Sequence, residues 1–281
     1  MFYDTSAFRE KLEGTRDDRV HGIVVLLPSE SKRLIARGVL ALPEVRRVLR
    51  EGRFVISRGT TTAYIAEELL GVPLPKANCT AGIVTDARLS VTVPEDGIGP
   101  WVFHRGVKSD EPAEEALKQF TARDVSVKGA NAIDPEGHVG VLAANDLGGT
   151  IGSVWPVVAA RGSHLIVPAG LEKMVPSVIE AARVSGNKLF KYVMGTRVAL
   201  MPVVSALVVT EIQALEVLTG VHAVHVASGG VGGSEGAVVL GLEGADATVK
   251  RAFELVQGLK GEPPIGMPRL QPPVPTVFAL D

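Results

Sequence analysis

A β-type run, Arg53-Phe54-Val55-Ile56-Ser57, stops at the loop Arg58-Gly59-Thr60-Thr61-Thr62 and gives way to a helical stretch over 63–70 that ends at Gly71. Strand, glycine-bearing loop and helix in that order form the unit of a parallel sheet, because a parallel crossover needs a helix-length return. The order recurs along the chain. Residues 124–128 read as a strand that meets Gly129, and residues 164–168 as a buried strand followed by Ala169-Gly170 and a helix over 175–184. Residues 20–27 read as a further strand that ends at the capping run Pro28-Ser29-Glu30-Ser31. Helical spacing at Leu34, Ile35, Val39, Leu42 and Val45 follows, divided in two by Pro43. This alternation predicts an α/β fold, a Rossmann-like, largely parallel sheet with helices on both faces. Between 73 and 107 the pattern is strand-like and turn-rich, which predicts hairpins or a lid.

The last third changes character. Strands at 205–209, 221–227 and 236–242 and helices at 210–218 and 245–259 give the order βαββα, half or more of a ferredoxin-like α+β unit, with Gly229 to Gly233 as its hairpin. The expected division is a ligand-binding α/β core over 1–202, the ferredoxin-like unit over 203–260 and a proline-rich tail over 261–281. Six prolines between 261 and 275 make that tail an extended strap or a linker.

Charge and cysteine usage narrow the partners. Lys and Arg number 29 against 31 Asp and Glu, so no overall field draws the chain to nucleic acid or to an anionic membrane surface. No helix-turn-helix segment is evident, so a DNA-binding regulator is disfavoured. Cys79 is the only cysteine, which excludes an internal disulfide and a multi-thiolate metal site. The first residues lack the basic-then-apolar order of a signal peptide, and the longest apolar runs fall short of the ~20 residues that span a bilayer. A cytoplasmic protein without membrane contact is the expectation.

The chemistry-bearing positions cluster at predicted strand ends. In Gly59-Thr60-Thr61-Thr62 the glycine permits close approach of a ligand, and the hydroxyls and free amides of a helix N-terminus donate to a negative charge. The same threonines also serve as ordinary helix caps. The loop lacks the lysine and spacing of a Walker motif. The densest motif runs from Lys128-Gly129-Ala130-Asn131 to Asp134-Pro135-Glu136-Gly137, at a strand end where open α/β sheets place ligands. Asp134 and Glu136 are close enough in sequence to serve acid and base roles, and Asp-Pro-Glu-Gly is equally a β-turn with solvated carboxylates. Gly148-Gly149-Thr150 is a second candidate phosphate cradle. Glu172 and Lys173 follow the strand that ends at Pro168 and come within reach of the same crevice, unless they are simply solvated. Among the six histidines only His222 and His225 are near neighbours in sequence, and in a strand that offset points them to opposite faces, so no metal and no cofactor is expected. Ser234 in Gly-Gly-Ser-Glu-Gly has no strand before it and no evident base, so a serine hydrolase is discounted.

Over roughly residues 50–175 the chain resembles the superfamily that holds ribose-phosphate isomerase, the sugar-binding domains of DeoR-type regulators, CoA transferases and the lactate-utilisation (LUD) domains. The resemblance rests on Gly59-Thr60-Thr61-Thr62-Ala63-Tyr64-Ile65-Ala66-Glu67-Glu68-Leu69, which looks like the isomerases' first phosphate loop and helix. It rests also on Gly129-Ala130-Asn131-Ala132-Ile133-Asp134, similar to their Gly-Ala-Asp-Glu-Val-Asp and closest to the LUD wording. The isomerases carry an acidic residue where this chain has Asn131, which takes no proton at neutral pH. Their Lys-Gly-Gly-Gly run becomes Asp146-Leu147-Gly148-Gly149, and the stretch that holds their base becomes Gly152-Ser153-Val154-Trp155. These departures argue against pentose-phosphate isomerisation.

The expected function is an enzyme with isomerase- or transferase-like chemistry on a phosphorylated or CoA-linked carboxylic metabolite. The ligand-binding residues would be Gly59, Thr60, Thr61, Thr62, Gly129, Asn131, Glu136, Gly148, Gly149, Thr150 and Lys173, with Asp134 or Glu172 as acid and base. The alternative is a non-catalytic metabolite sensor or assembly protein of the same fold. The apolar, glycine-rich C-terminal unit and the tail predict a homo-oligomer.

Overall fold

The computed structural model describes residues 1–272 and 274–278. In chain order its elements are β1 (Val20–Leu26), α1 (Pro28–Ala41), α2 (Pro43–Glu51), β2 (Arg53–Ile56), α3 (Thr60–Leu70), β3 (Gly82–Thr85), β4 (Arg88–Val91), β5 (Trp101–His104) and β6 (Val107–Ser109). There follow α4 (Ala113–Lys118), β7 (Val125–Val127), β8 (Ala132–Ile133), β9 (Val139–Ala143), α5 (Gly149–Arg161), β10 (His164–Pro168), α6 (Val178–Arg183) and β11 (Ala199–Val203). The last are β12 (Leu207–Val209), α7 (Glu211–Thr219), β13 (His222–Gly229), β14 (Ala237–Gly244) and α8 (Asp246–Gln257). The chain is a mixed α/β protein, and no described helix is long and apolar enough to cross a membrane.

The largest sheet has six strands in the order β12-β10-β7-β2-β5-β6. The first four run parallel, with Ile166 opposite Leu207 and Val127, and Val127 opposite Ile56. Strand alternation splits β2 between two cores. Phe54 and Ile56 face α1, α2 and α3 with Ile35, Val45, Tyr64 and Ile65. Val55 faces α4 and α5 with Leu117, Val154 and Val158. Helices thus cover both faces, which is why Val125 and Val127 on one face of β7 and Ser126 on the other are all buried. Each such fully buried apolar side chain contributes about 1.5–3 kcal/mol.

The sheet is mixed where a largely parallel one was expected. Trp101–His104, which falls in the turn-rich stretch, pairs antiparallel with β2, and β6 extends that edge. The same stretch does supply a separate hairpin, β3–β4, whose turn residues Asp86 and Ala87 both have positive φ, as a tight two-residue turn requires.

The βαββα order expected over 203–260 is distributed over two sheets. β12 joins β10 in the six-stranded sheet, while β13 and β14 form a three-stranded antiparallel sheet with β1 from the other end of the chain. Pairing therefore crosses residue 203 in both directions. Burial gives the reason. Val24 and Leu26 of β1 are buried while Ile23 and Val25 are exposed, the pattern of a strand with one open face. Val208 and Val209 of β12 are both fully buried and suit a sheet covered on both sides. The covered face of the small sheet meets α7 and α8 through Leu215, Val249, Ala252 and Val256. α1 ties the two sheets together. A Cβ on Gly38 would lie 2.6 Å from the Ala214 Cβ, so the α1–α7 crossing depends on glycine.

A third sheet, β11-β9-β8, stands beside the carboxyl edge of the parallel strands with α6 behind it. The proline-rich tail runs as a strap along β4. The Val93 amide donates to the Arg269 carbonyl at 3.0 Å, the Gln271 amide to the Val91 carbonyl at 2.9 Å, and Arg269 pairs with Asp96 through two 2.8 Å contacts. Residues 273 and 279–281 of that tail lie outside the described residues.

Candidate functional site

Because β2, β7 and β10 run parallel, the chain leaves all three at one edge, and the three exits bring Arg58 to Thr61, Lys128 to Asn131, and Glu172 with Lys173 to a single crevice. Its volume is about 990 Å³. The rest of the lining comes from β9 with Gly148 to Ile151, from the β3–β4 hairpin and from residues 265–268 of the tail. Of the residues singled out in the sequence, Gly59, Thr60, Thr61, Gly129, Asn131, Gly148, Gly149, Thr150, Glu172 and Lys173 line it. Segments some hundred residues apart thus meet in one place.

Three others do not line it. Thr62 is fully buried and its hydroxyl donates to the Gly59 carbonyl at 3.0 Å, which ties the first turn of α3 together without capping its free amides. Asp134 sits in a closed turn. One carboxylate oxygen accepts from the His138 amide at 2.9 Å, and the other from the Val178 amide and His138 Nδ1, each at 3.0 Å. Burial alone would raise its pKa, and the Val178 and His138 donors more than offset that, holding the carboxyl below its usual range. Glu136 is exposed at the tip of the turn, which the Gly137 amide closes onto the Asp134 carbonyl at 2.9 Å. The β-turn reading of Asp-Pro-Glu-Gly therefore describes the backbone and the solvated Glu136, while Asp134, 1% exposed, is buried and not solvated. Asp134, Glu136 and His138 bring one potential metal ligand each within 4.8 Å, a grouping that strand spacing does not reveal, with both Asp134 oxygens already accepting N–H bonds.

Two helices open onto the crevice without caps. α3 begins after Gly59 and α5 after Gly148, which has φ +80°, and neither has a side chain that accepts from its first amides. The leading N–H groups of an α-helix have no partner inside it, so at both termini donors and the positive end of the helix dipole face the cavity. Thr61 adds an observation of its own. It is 2% exposed and its hydroxyl has no hydrogen-bond partner among the described residues. A buried hydroxyl left unpaired is costly unless something absent from the chain itself pairs with it.

Four basic side chains, Lys32, Arg58, Lys128 and Lys173, share the lining with one carboxylate, Glu172. Lys32 reaches in from α1 and pairs with Glu172 at 3.0 Å while also donating to the Pro28 carbonyl. Desolvation, then the charge of Lys173, pushes the Lys128 amine down to about 8. Desolvation, then Lys32, does the same to Lys173, also to about 8, with Glu172 and Glu211 in opposition. Glu211 lies behind, fully buried at the start of α7, and accepts from the Leu171 amide at 2.9 Å. Burial pushes its carboxyl up. Arg58 is anchored by donation to the Thr80 carbonyl at 2.8 Å.

The sequence motifs contain Arg58 and Lys128 but gave neither a role, and Lys32 was passed over. Arg58 and Lys128 each stand between a strand and a glycine, a position that the parallel-sheet reading already assigned to the crevice, so the signal was present. Lys32 gave none, since only the packing of α1 brings it there. Compared with known protein families, with characterised proteins and with solved structures, the chain shows no match.

Proposed function

We propose that this crevice binds a small metabolite carrying phosphate or carboxylate, on a Rossmann-like scaffold of the kind found in the isomerase, CoA-transferase and LUD superfamily. One observation carries the reading: two uncapped helix N-termini and four basic side chains surround a single cavity that holds one carboxylate. A partly buried anion at a helix N-terminus gains up to about 2 kcal/mol, and each charge-assisted hydrogen bond about 1.5–3 kcal/mol. The volume is at the upper end for ligand pockets, roughly 300–1,000 Å³, and Ile83, Leu89, Val141 and Ile265 add apolar surface. Such a site suits a ligand with a sizeable body behind its anion, as in a CoA-linked carboxylate, better than free phosphate.

Isomerase- or transferase-like chemistry would use Glu172 as acid and base, since it is the carboxylate that lines the crevice. One observation favours the second reading, a non-catalytic sensor: Asp134, the other acid-base candidate, is closed into a turn. Self-association is supported by the open face of the small sheet, where Ile23, Val25, Val224 and Val226 are exposed, and light scattering that gives a monomer mass would contradict it.

Titration calorimetry with inorganic sulfate on the whole chain and on Thr61→Val tests the anion site. The substitution keeps the side-chain shape and removes the unpaired hydroxyl. Affinity should fall about five- to tenfold while stability is unchanged or slightly higher. Equal affinity in the two proteins contradicts the reading.

A further inference from the structure

Lys128 stands at the carboxyl end of β7, inside the parallel part of the largest sheet, and its ammonium is poorly compensated. The one carboxylate of the crevice, Glu172, is taken by Lys32 at 3.0 Å. Lys128 Nζ meets the Gly129 carbonyl at 3.3 Å and has no ion pair among the described residues. The other charged groups of the crevice are Lys173 and Glu172 from the loop after β10, Lys32 from α1 and Arg58 from the loop after β2, with Glu211 behind Lys173, and of these it is the charge of Lys173 that bears on Lys128. Three of these five are cationic. A compact, crowded amine beside an anion site is the arrangement that keeps a lysine partly neutral and nucleophilic near neutral pH.

We propose that Lys128 is an amine nucleophile that forms an imine with the carbonyl carbon of an anionic aldehyde or keto acid whose charge rests at the N-termini of α3 and α5. This deepens the anion-site reading and rests on it. The neutral Nζ adds its lone pair to the carbonyl carbon, the C=O π pair moves to oxygen, and a proton shifts from nitrogen to oxygen to give the carbinolamine. The ammonium of Lys173 protonates the hydroxyl, which leaves as water as the C=N bond forms. The proton left on the iminium nitrogen returns to Lys173. The exchange is carbonyl plus amine to imine plus water, without oxidant or reductant. The value of about 8 for both amines suits these roles, because each is available in both protonation states at neutral pH.

The test uses the full chain with glyoxylate and cyanoborohydride, which fixes an imine as a stable secondary amine, followed by peptide mass mapping. At pH 7 Lys128 should be modified about tenfold or more faster than the exposed Lys250, because an ordinary lysine near pKa ~10.4 is almost wholly protonated there. Sulfate should slow the reaction at Lys128, and acetaldehyde, which lacks the charge, should react there more slowly than glyoxylate. Lys173→Gln should move the midpoint of the rate profile to higher pH by removing a neighbouring charge. Modification of Lys128 no faster than of Lys250, or of Lys173 in its place, overturns the nucleophile. Rapid modification that sulfate does not slow overturns the anionic substrate and the anion-site reading together. Sulfate binding without modification of Lys128 sinks the imine alone and leaves the anion site standing.

Discussion

The Lys32 ammonium and the Glu172 carboxylate lie 3.0 Å apart, joining α1 to the loop after β10 across 140 residues of sequence. Both side chains are largely buried, 11% and 19% exposed, so the pair fixes that loop as well as the charge of the crevice. Lys32→Met leaves Glu172 unpaired among the remaining cations. Chemical denaturation should show a loss of about 1–3 kcal/mol, and sulfate affinity should drop about tenfold because the net positive charge of the site falls. An unchanged denaturation midpoint would mean that the pair does not hold the loop.

Asp134 is expected to matter for stability and not for binding. Asp134→Asn puts an NH₂ where the Val178 and His138 donors need an acceptor, at a cost of about 1–3 kcal/mol. The sign with pH follows from the depressed native pKa. The stabilisation is fully present above the ordinary carboxylate range, and it disappears as pH falls through the native value. Urea melts of both proteins should therefore differ most near neutrality and converge in acid. Sulfate affinity should stay within about twofold, and a larger loss would return Asp134 to the site.

The two depressed lysines give the site a pH signature. Below about 8 both Lys128 and Lys173 are charged, so sulfate should bind most tightly there and lose about tenfold or more in affinity between pH 7 and 9. The empty protein should move the other way. An amine whose native pKa lies below its unfolded value costs stability while charged, so stability should rise from pH 8 toward the ordinary lysine range of ~10.4. Calorimetry and denaturant melts measured over the same pH series check the opposite signs.

The unit β2–loop–α3 was legible because its signals are local. A β-branched and aromatic run, a glycine at each end of the helix and the threonines between them locate Arg53–Ile56 and Thr60–Leu70 to within a few residues. Convergence of Gly59, Gly129 and Lys173 followed from the same parallel-sheet reading, since parallel strands share a carboxyl edge. Partners were not legible. Alternation shows that β1 has one buried face, and nothing in residues 20–26 says that the face is completed by β14 and β13, two hundred residues on. The stretch over 73–107 was likewise readable as strand-like, with nothing in it to name Trp101–His104 as a neighbour of β2. For Asp134 the missing fact was the Val178 donor, 44 residues downstream, which decides between an acid-base group and the anchor of a turn.

Backbone amide shifts recorded while inorganic sulfate is titrated into the isotope-labelled chain test the crevice most directly. The amides of residues 59–62 and 148–150 should move together along one saturation curve, since both uncapped helix ends would hold the same ion. Shifts confined to exposed lysines elsewhere, or saturation at one helix end without the other, would contradict a shared anion site.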